Sequence, residues 1–332
     1  MSDYPRAVAD GWHPIATSAE LRARPLARTL MGRPIVAFRT PDGPAVLVDR
    51  CPHRNFPLSR GTVRDGEIEC PYHGWRFAAD GRCTLTPGAA AAARHAAEAL
   101  PAIERAGAIW TTLAKSPSAA PNLPHPVGVA GFDSFWWAVR PSRARLIDAV
   151  ENLLDPAHPH FLHAGIVRSA TVRRPVEVTV RVQPDCAEAE YIENAKPSAL
   201  MPRLLEGLRG SSLGRFYPPA TGQVAFEGGG RLRLAITVFF TPVATGRVQP
   251  FAYFATPRGR APAWLKQAVL RAVHVPVLAQ DQAALRAQAE NIARFGAPRY
   301  ALGPLDVLLP AIQALAAGDT PEACERRLTM EL

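Results

Sequence analysis

Four residues in the first quarter of the chain combine two kinds of metal ligand at short spacing. Cys51 and His53 form a C-x-H pair, and Cys70 and His73 form a C-x-x-H pair after sixteen intervening residues. Two thiolates and two imidazoles could hold a tetrahedral Zn²⁺ ion. They are also the ligand set of a Rieske [2Fe–2S] centre, in which two Cys bind one iron and two His bind the other.

The distribution of these ligands between the two loops separates the two metal sites. Zinc fingers usually group the two Cys in one loop and the two His in the other. Here each loop offers one sulfur and one nitrogen, which favours the Rieske centre over zinc. The next cysteine, Cys83, follows the second loop closely, and we expect it to be an ordinary core or surface residue and not a ligand.

A second set of candidate ligands follows in the middle of the chain. Asn152, Asp155, His158 and His163 form the string N-x-x-D-x-x-H-x₄-H. In a helix the first three would share one side, and Pro159 would let the helix distort or end before His163. Two converging imidazoles could supply two ligands of a facial triad, in which two His and one carboxylate bind Fe(II) and leave positions open for O₂. The alternative is a chance cluster of histidines near a helix end.

Together these motifs resemble those of the Rieske non-haem iron oxygenases. The resemblance rests on CPHRNFPLSRG and CPYHGWRF in residues 51–77 and on the string in residues 152–163. Small Rieske ferredoxins have loops similar to the first motif, so that motif alone indicates the cluster and not an oxygenase. The family pattern leaves the position of His160 free, and we therefore do not expect His160 to be a ligand. Three further residues around the cluster ligands also match: Arg54, Gly74 and Trp75.

The resemblance also implies a third iron ligand from a helix late in the chain. The family takes this carboxylate from a context like VLAQDQAALRAQAEN, in which Asp281 is the matching residue and Glu290 is the fallback. The alternative for Asp281 is an acidic residue near a helix N-terminus after Pro276, where the helix dipole would favour it.

A bridging role and an assembly follow from the same resemblance. The family uses the residue matching Asp155 to connect an iron-bound histidine to a cluster histidine, here His73, of a neighbouring subunit. The implied assembly is a ring of three identical subunits. Asn152 and Asp155 are accordingly the candidate catalytic residues outside the metal ligands.

Composition narrows the classes of function. The chain has 332 residues, 48% of them hydrophobic, and a net charge of +9 that is carried almost entirely by Arg. The basic residues are dispersed, which argues against nucleic-acid binding and leaves docking of an acidic electron-transfer protein as a hypothesis. Five scattered cysteines fit a reducing compartment. With neither a signal-like N-terminus nor an apolar run of about 18 residues, we expect a cytoplasmic protein without a membrane span.

The patterning predicts an α+β protein with two domains. Short apolar runs and turn signals predict an all-β Rieske domain over residues 1–117, including hairpins in 33–49 and 75–85. Residues 118–332 are expected to form the catalytic domain, an antiparallel sheet flanked by helices, because period-two alternation dominates 171–255. Residues 86–98 are predicted to form a linker or short helix, and residues 196–215 a connector. Residues 261–295 are predicted to form a helix that is interrupted near Pro276.

The resemblance implies a terminal oxygenase component that receives electrons at the cluster and activates O₂ at Fe(II). The sequence has no Gly-rich dinucleotide fingerprint, so NAD(P)H is expected to act through a separate reductase, with or without a ferredoxin. The compact length resembles the branch that includes vanillate and dicamba O-demethylases. Monooxygenation, by hydroxylation or by O- or N-demethylation, is therefore expected, with ring dihydroxylation, pure electron transfer and a non-catalytic relic fold as alternatives. A small aromatic or apolar substrate is expected, with these residues available to line its pocket: Phe226, Phe239, Phe240, Phe251, Tyr253, Phe254 and Trp264.

Overall fold

The chain folds into two compact units in a computed structural model that describes residues 4–118, 120–168, 173–195 and 209–332. The first unit consists mainly of Ala9–Asn122, and the second mainly of Leu123–Phe240 and Gly246–Leu332. An all-β first unit followed by a unit of sheet and helices confirms the α+β prediction. The boundary between residues 117 and 118 stays a prediction.

The first unit is built from short antiparallel strands. Their bounds are His13–Thr17 (β1), Leu26–Leu30 (β2), Arg33–Thr40 (β3), Gly43–Val48 (β4), Thr62–Arg64 (β5), Glu67–Glu69 (β6), Arg76–Phe77 (β7), Cys83–Leu85 (β8), Ala99–Leu100 (β9), Ala102–Arg105 (β10) and Ala108–Thr111 (β11). They form three sheets in the described residues, with the orders β1-β11-β10, β2-β3-β4-β9 and β5-β6-β7-β8. Both predicted hairpins are confirmed, one between β3 and β4 and one between β7 and β8.

The alternation of side chains along β3 serves two hydrophobic cores. Val36 and Phe38 contribute to the core that also contains Cys51 and Cys70. Ile35 and Ala37 contribute to a second core on the other face. Successive side chains of a strand point to opposite faces, so a continuous apolar run is required where both faces are covered. The first core thus fixes the two cysteines that begin the ligand loops.

The second unit contains a large antiparallel sheet with helices. Its strands are Phe132–Ala138 (β12), Ser142–Arg143 (β13), Pro175–Gln183 (β14), Cys186–Ala195 (β15), Arg209–Tyr217 (β16), Thr221–Gly228 (β17), Arg231–Ala244 (β18), Arg247–Pro257 (β19) and Cys324–Glu331 (β20). The order is β12-β19-β18-β17-β16-β15-β14-β20, and β13 also pairs with β19. The α-helices in the described residues are Arg6–Asp10 (α1), Leu146–Leu154 (α2), Ala263–Phe295 (α3) and Leu309–Ala317 (α4). No helix in the described part of the chain has the length and apolar character needed to cross a bilayer.

Three local predictions need correction or completion. Residues 86–98 form turns and bends and not a helix, which agrees with the linker alternative, since a short Ala-rich segment is marginal as an isolated helix. The predicted connector 196–215 ends in strand β16 from residue 209 onward, and residues 196–208 lie outside the described residues. Strand β20, which was not predicted, pairs along β14, although its sequence CERRLTME has the charged character of an edge strand.

The predicted interruption of the long helix is wrong. Helix α3 runs continuously from Ala263 to Phe295 with Pro276 inside it. A proline inside a helix removes one backbone hydrogen bond and costs about 3 kcal/mol. Packing of α3 against β12, β13 and α2 offsets this cost. The continuity matters because one rigid element carries the wall of a cavity and the carboxylate of the candidate iron site.

Candidate metal centres and active site

The first ligand loop is a tight turn closed by backbone hydrogen bonds. The main-chain N–H of Cys51 donates to the carbonyl of Phe56 at 2.9 Å, and the N–H of Asn55 donates to the carbonyl of Cys51 at 2.8 Å. Asn55 has a φ of +59°, in the left-handed region that Asn tolerates better than most residues. The turn presents the Cys51 thiol to the core and leaves His53 at the surface.

The second loop repeats the geometry of the first. The N–H of Cys70 donates to the carbonyl of Trp75 at 2.8 Å, and the N–H of Gly74 donates to the carbonyl of Cys70 at 2.9 Å. Gly74 has a φ of +69°, so the left-handed position falls on the fourth residue after the cysteine in both loops. Glycine takes this conformation without strain. Each loop therefore combines one buried cysteine with one exposed histidine, His53 in the first loop and His73 in the second.

The four residues are arranged with sulfur inside and nitrogen outside. Cys51 and Cys70 are each 2% exposed and form no disulfide, and burial raises the pKa of Cys51 to about 11. The His53 and His73 rings lie 4.5 Å apart between centroids, and Trp75 stacks on His53 at 4.7 Å. Two buried thiols with two neighbouring exposed imidazoles fit a cluster whose inner iron is bound by Cys and whose outer iron is bound by His.

Helix α2 ends where the second candidate site begins. Asp155 has φ −69° and ψ 121°, because the residue before Pro156 is disfavoured in the helical region. The prediction that residues 152, 155 and 158 share one helical side is therefore wrong beyond Leu154. A short 3₁₀ helix, His158–His160, follows instead and carries the first histidine of the pair.

The side chain of Asp155 organises this turn. One carboxylate oxygen accepts the main-chain N–H of Ala157 at 2.7 Å, and the other accepts the N–H of His158 at 3.2 Å. Burial alone would raise the pKa of Asp155, but hydrogen bonds from His158 and from the Ala157 main chain outweigh it and lower that pKa. The carboxylate is therefore charged at neutral pH and holds the backbone from which the His158 ring extends.

Three donor groups converge in the second unit. The carboxylate oxygen Oδ1 of Asp281 lies 3.0 Å from Nε2 of His163 and 3.7 Å from Nε2 of His158. All three donor atoms lie within 4.8 Å of one another. Two ligands about 2.1 Å from one ion and at right angles are separated by about 3.0 Å, so the distances suit one metal ion after small adjustments. The structure therefore brings together the three residues predicted to hold iron, and their role as ligands stays a prediction.

The outer nitrogen of each histidine ring is already committed. Nδ1 of His158 donates to the main-chain carbonyl of Asp155 at 3.0 Å, and Nδ1 of His163 donates to Oε1 of Gln280 at 2.8 Å. A carbonyl oxygen can only accept, so Nδ1 carries a proton in each ring, and Nε2 is the atom that each ring turns toward the centre. Hydrogen bonds of this kind to the outer ring nitrogen orient metal-binding histidines.

The structure also separates Asp281 from the alternatives for the third ligand. Asp281 lies in the middle of helix α3, so the explanation by a helix N-terminus does not apply. Glu290 is exposed and lies 3.7 Å from the guanidinium of Arg143. His160 is buried beside the turn but does not belong to the three-residue cluster.

An acidic residue upstream of this turn has an unusual protonation equilibrium. Glu151 lies one helical turn before Asp155 on α2. Burial, followed by repulsion from Asp155 and Asp306, raises the pKa of Glu151 to about 7. A charged Glu151 would add a further negative charge to the end of α2, and the raised pKa limits that charge near neutral pH.

An apolar cavity adjoins the three-residue cluster. Its volume is about 140 Å³, and both Asn152 and Asp281 line it. A cavity of about 150 Å³ accommodates benzene in another protein, so one aromatic ring fits this space. Of the aromatic residues proposed to line a pocket, Phe240 and Phe254 do so, whereas Trp264 is 70% exposed. The remaining four do not line this cavity and lie in the core or beside a second cavity: Phe226, Phe239, Phe251 and Tyr253.

Two residues that contribute to the site were missed in the sequence. Gln280 precedes Asp281 and contacts His163, and His274 lines the cavity two helical turns before Asp281. The helical spacing 274, 278, 281 and 285 contained this signal, because residues three and four apart share one helix face. An interrupted helix at Pro276 had obscured it.

Replacing Gln280 by Ala is expected to weaken Fe(II) binding about 10- to 100-fold while the cluster is retained, because the His163 ring loses the acceptor that orients it. Anaerobic Fe(II) titration measures the affinity. Gln280→Glu should restore most of it, since the carboxylate also accepts from Nδ1. Gln288→Ala, at an exposed position of the same helix, is the matched control. Equal affinities in the Gln280→Ala and Gln288→Ala proteins would contradict the positioning role.

Comparison with protein-family models identifies the class of fold first and then the family. Residues 11–103 match the Rieske [2Fe-2S] domain. Residues 142–312, more than half of the chain, match the vanillate O-demethylase oxygenase C-terminal domain. The chain therefore belongs to this oxygenase family. Both matches support an iron–sulfur cluster and a non-haem iron as its cofactors, and the zinc alternative for the first loops is wrong.

Curated relatives agree with this family. The chain is 30% identical over 208 residues to the oxygenase component of dicamba O-demethylase from Stenotrophomonas maltophilia, covering 60% of each chain. It is 29% identical over 221 residues to the vanillate O-demethylase oxygenase subunit of a Pseudomonas strain, covering 65% of this chain and 61% of the relative. The matched region thus spans about three fifths of these relatives' length.

A solved structure shows the same fold. The crystal structure of dicamba monooxygenase bound to dicamba superposes with a TM-score of 0.79 at 22% sequence identity, covering 94% of this chain and 97% of the other. At this sequence identity the similarity supports the fold alone. The reaction and the substrate must be argued from the residues of the site.

Proposed function

We propose that this protein is the terminal oxygenase component of a multi-component system and monooxygenates a small aromatic or apolar substrate. The observation that carries the proposal is the position of the three-donor cluster at the wall of a ring-sized apolar cavity, with Asp281 belonging to both. The names of the relatives support hydroxylation or oxidative demethylation as the reaction.

The residues present fit the cofactors of such an enzyme. Cys51, His53, Cys70 and His73 would hold the [2Fe–2S] cluster, and a second set would hold Fe(II): His158, His163 and Asp281. When bound, these groups supply one-electron transfer and O₂ activation, with electrons delivered from NAD(P)H through a separate reductase or ferredoxin.

The protein's own residues position the reactants. The apolar walls of the cavity bury one substrate ring and exclude water from it. Gln280 accepts a hydrogen bond from Nδ1 of His163, and the main-chain carbonyl of Asp155 accepts one from Nδ1 of His158. The Asp155 carboxylate also accepts the main-chain N–H of His158, and both Nε2 atoms thus face one point. Asn152 brings an amide to the cavity wall, close to the reacting region.

Assembly and location complete the proposal. The resemblance supports a homotrimer in which Asp155 lies between the iron site of one subunit and His73 of the next. The net charge of +9 supports docking of an acidic electron-transfer partner, a contact that salt would weaken. Five free cysteines support the cytoplasm as the compartment. Light scattering of the holoprotein tests the trimer, and a partner-dependent rate that does not change with ionic strength would refute the charge-based docking.

Replacing Asp155 by Asn is expected to lower turnover about 10- to 100-fold with both iron sites still filled, because the amide keeps one acceptor for the turn but loses the charge beside His158. Coupled O₂ consumption gives the rate, and iron analysis gives the occupancy. Asp319→Asn, at an exposed position outside the site, is the control. Unchanged turnover in the Asp155→Asn protein would rule out this role.

The proposed function is tested by iron content and product analysis together. The oxygenase is expected to contain about three irons per chain, two from the cluster and one from the second site. With a generic reductase and NADH it should consume O₂ when supplied with methoxylated or alkylated aromatic compounds. Formaldehyde release indicates demethylation, a hydroxylated product without formaldehyde indicates hydroxylation, and a cis-diol indicates dihydroxylation. Two irons per chain and no substrate-dependent O₂ consumption would instead identify an electron carrier.

A further inference from the structure

The wall of the cavity contains a histidine that the iron site does not use. His274 lies on helix α3 seven residues before Asp281 and lines the same cavity. It does not belong to the three-residue donor cluster. Its ring lies edge-on to Phe254, with 5.0 Å between the ring centroids. The ring is therefore held in an apolar setting beside the space that a substrate would occupy.

The hydrogen bond of the ring fixes its tautomer. Nδ1 of His274 lies 2.8 Å from the main-chain carbonyl of Leu270. The carbonyl has no proton to give, so Nδ1 carries the hydrogen and Nε2 carries a lone pair in the neutral ring. Burial lowers the pKa of His274, which keeps the ring neutral at pH 7. Nε2 is thus an acceptor, and among the described residues it has no hydrogen-bond partner.

The other polar groups of the cavity do not favour an anionic ligand. Among the described residues that line it there is neither Arg nor Lys. Asp281 is a carboxylate, and the remaining polar side chains are neutral: Trp137, Ser142, Asn152 and Gln282. Among the described lining residues a ligand carboxylate would find no cationic side chain and would face the Asp281 carboxylate, which disfavours its desolvation. A ligand hydroxyl or N–H, in contrast, would meet the Nε2 lone pair of His274.

We propose that His274 is a specificity-determining residue that accepts a hydrogen bond from a hydroxyl or N–H group of a neutral, single-ring substrate. The proposal rests on the proposed function, because it takes the cavity as the substrate site. The cavity volume of about 140 Å³ matches the size of one ring. A site with a buried acceptor rejects ligands that leave the acceptor unpaired, so recognition depends on the donor and not on size alone.

Three single-ring probes of similar size separate the possibilities. They are 2-methoxyphenol, which offers a hydroxyl donor, 1,2-dimethoxybenzene, which offers none, and 2-methoxybenzoate, which is an anion. Calorimetric titration of the iron-loaded holoprotein under anaerobic conditions at pH 7 measures binding without turnover. We expect 2-methoxyphenol to bind about tenfold more tightly than 1,2-dimethoxybenzene, the effect of one buried hydrogen bond, and 2-methoxybenzoate to bind most weakly.

The His274→Phe variant tests whether this preference comes from the named residue. It retains an aromatic ring and removes the acceptor, so the variant should bind 2-methoxyphenol and 1,2-dimethoxybenzene about equally. His95→Phe, a matched change at an exposed position in residues 86–98, should leave the preference intact. Circular dichroism and iron content of both variants establish that each is folded and loaded.

The outcomes distinguish this inference from the proposed function. Equal binding of 2-methoxyphenol and 1,2-dimethoxybenzene by the wild-type protein, or no detectable binding of 2-methoxyphenol, overturns the role of His274. Tighter binding of 2-methoxybenzoate overturns the neutral substrate class. In each case three irons per chain and substrate-dependent O₂ consumption would still uphold the oxygenase, whereas their absence would refute the oxygenase whatever the binding preference.

Discussion

Replacing Asp281 by Ala is expected to remove the mononuclear iron and leave the cluster, so that iron content falls from about three to about two per chain. The carboxylate is the only acidic group in the three-donor cluster, and its Oδ1 lies 3.0 Å from His163 and 3.7 Å from His158. Two neutral imidazoles alone would hold Fe(II) weakly. Product formation is expected to fall more than about 100-fold, since loss of a direct ligand should exceed the effect of losing an outer partner.

The measurement combines iron analysis with the visible absorption of the cluster. Unchanged absorption per chain shows that the first unit is folded and loaded, so the missing iron can be assigned to the second site. Glu290→Ala is the matched control on the same helix, because Glu290 is the other acidic candidate and lies at the surface near Arg143. An Asp281→Ala protein with three irons and full activity would falsify the assignment of Asp281. Loss of iron in the Glu290→Ala protein alone would transfer the assignment to Glu290.

Most of the candidate ligand residues could be proposed from the sequence because their spacing is local. Cys51 and His53, like Cys70 and His73, lie in single turns whose spacing is readable without a fold. His158 and His163 are likewise five residues apart. Asp281 was reached only through the family resemblance, since no local pattern links it to histidines more than 100 residues away, and the structure places its carboxylate beside both rings.

The parts that were predicted wrongly or missed depend on tertiary context. The end of α2 at Leu154 was a local effect of Pro156 on Asp155 that could have been recognised. The continuity of α3 through Pro276 could not, because packing against the sheet and α2 offsets a local cost. Strand β20 is stabilised by pairing with β14 and has little apolar signal of its own. Gln280 and His274 were missed because their roles depend on a helix that was expected to be interrupted.

The residues of the candidate site come from two kinds of element, the long helix α3 and the irregular turn after α2. Helix α3 carries Asp281, whose carboxylate belongs to the three-donor cluster, and Gln280, which accepts a hydrogen bond from His163. It also carries His274, whose ring lines the cavity. The irregular turn after α2 supplies both histidines. A displacement of α3 would therefore change the geometry of the three-donor cluster and the cavity wall together.

Replacing Cys70 by Ser is expected to abolish the cluster, lowering iron content from about three to about one per chain and removing the visible absorption. A serine hydroxyl is a poor substitute because the cluster requires thiolate ligands. The Cys70 thiol belongs to a core with Val36, Phe38 and Phe77, and the other described cysteines of that core are Cys51 and Cys83. Reductase-dependent turnover is expected to fall to background, since the chain has no other predicted entry point for electrons.

The matched control uses the third cysteine of the same core. Cys83 is also buried, but its sulfur lies 3.5 Å from the Leu85 carbonyl and 3.7 Å from the Thr86 hydroxyl, contacts that a serine hydroxyl can also make. Cys83→Ser is therefore expected to keep three irons per chain, the visible absorption and turnover. Because both substitutions place a hydroxyl in one core, a difference between them reports ligation and not burial. Cluster loss in both proteins would mean that the core tolerates no serine, and cluster loss in the Cys83→Ser protein alone would place the ligand at Cys83 and overturn the pairing of Cys70 with His73.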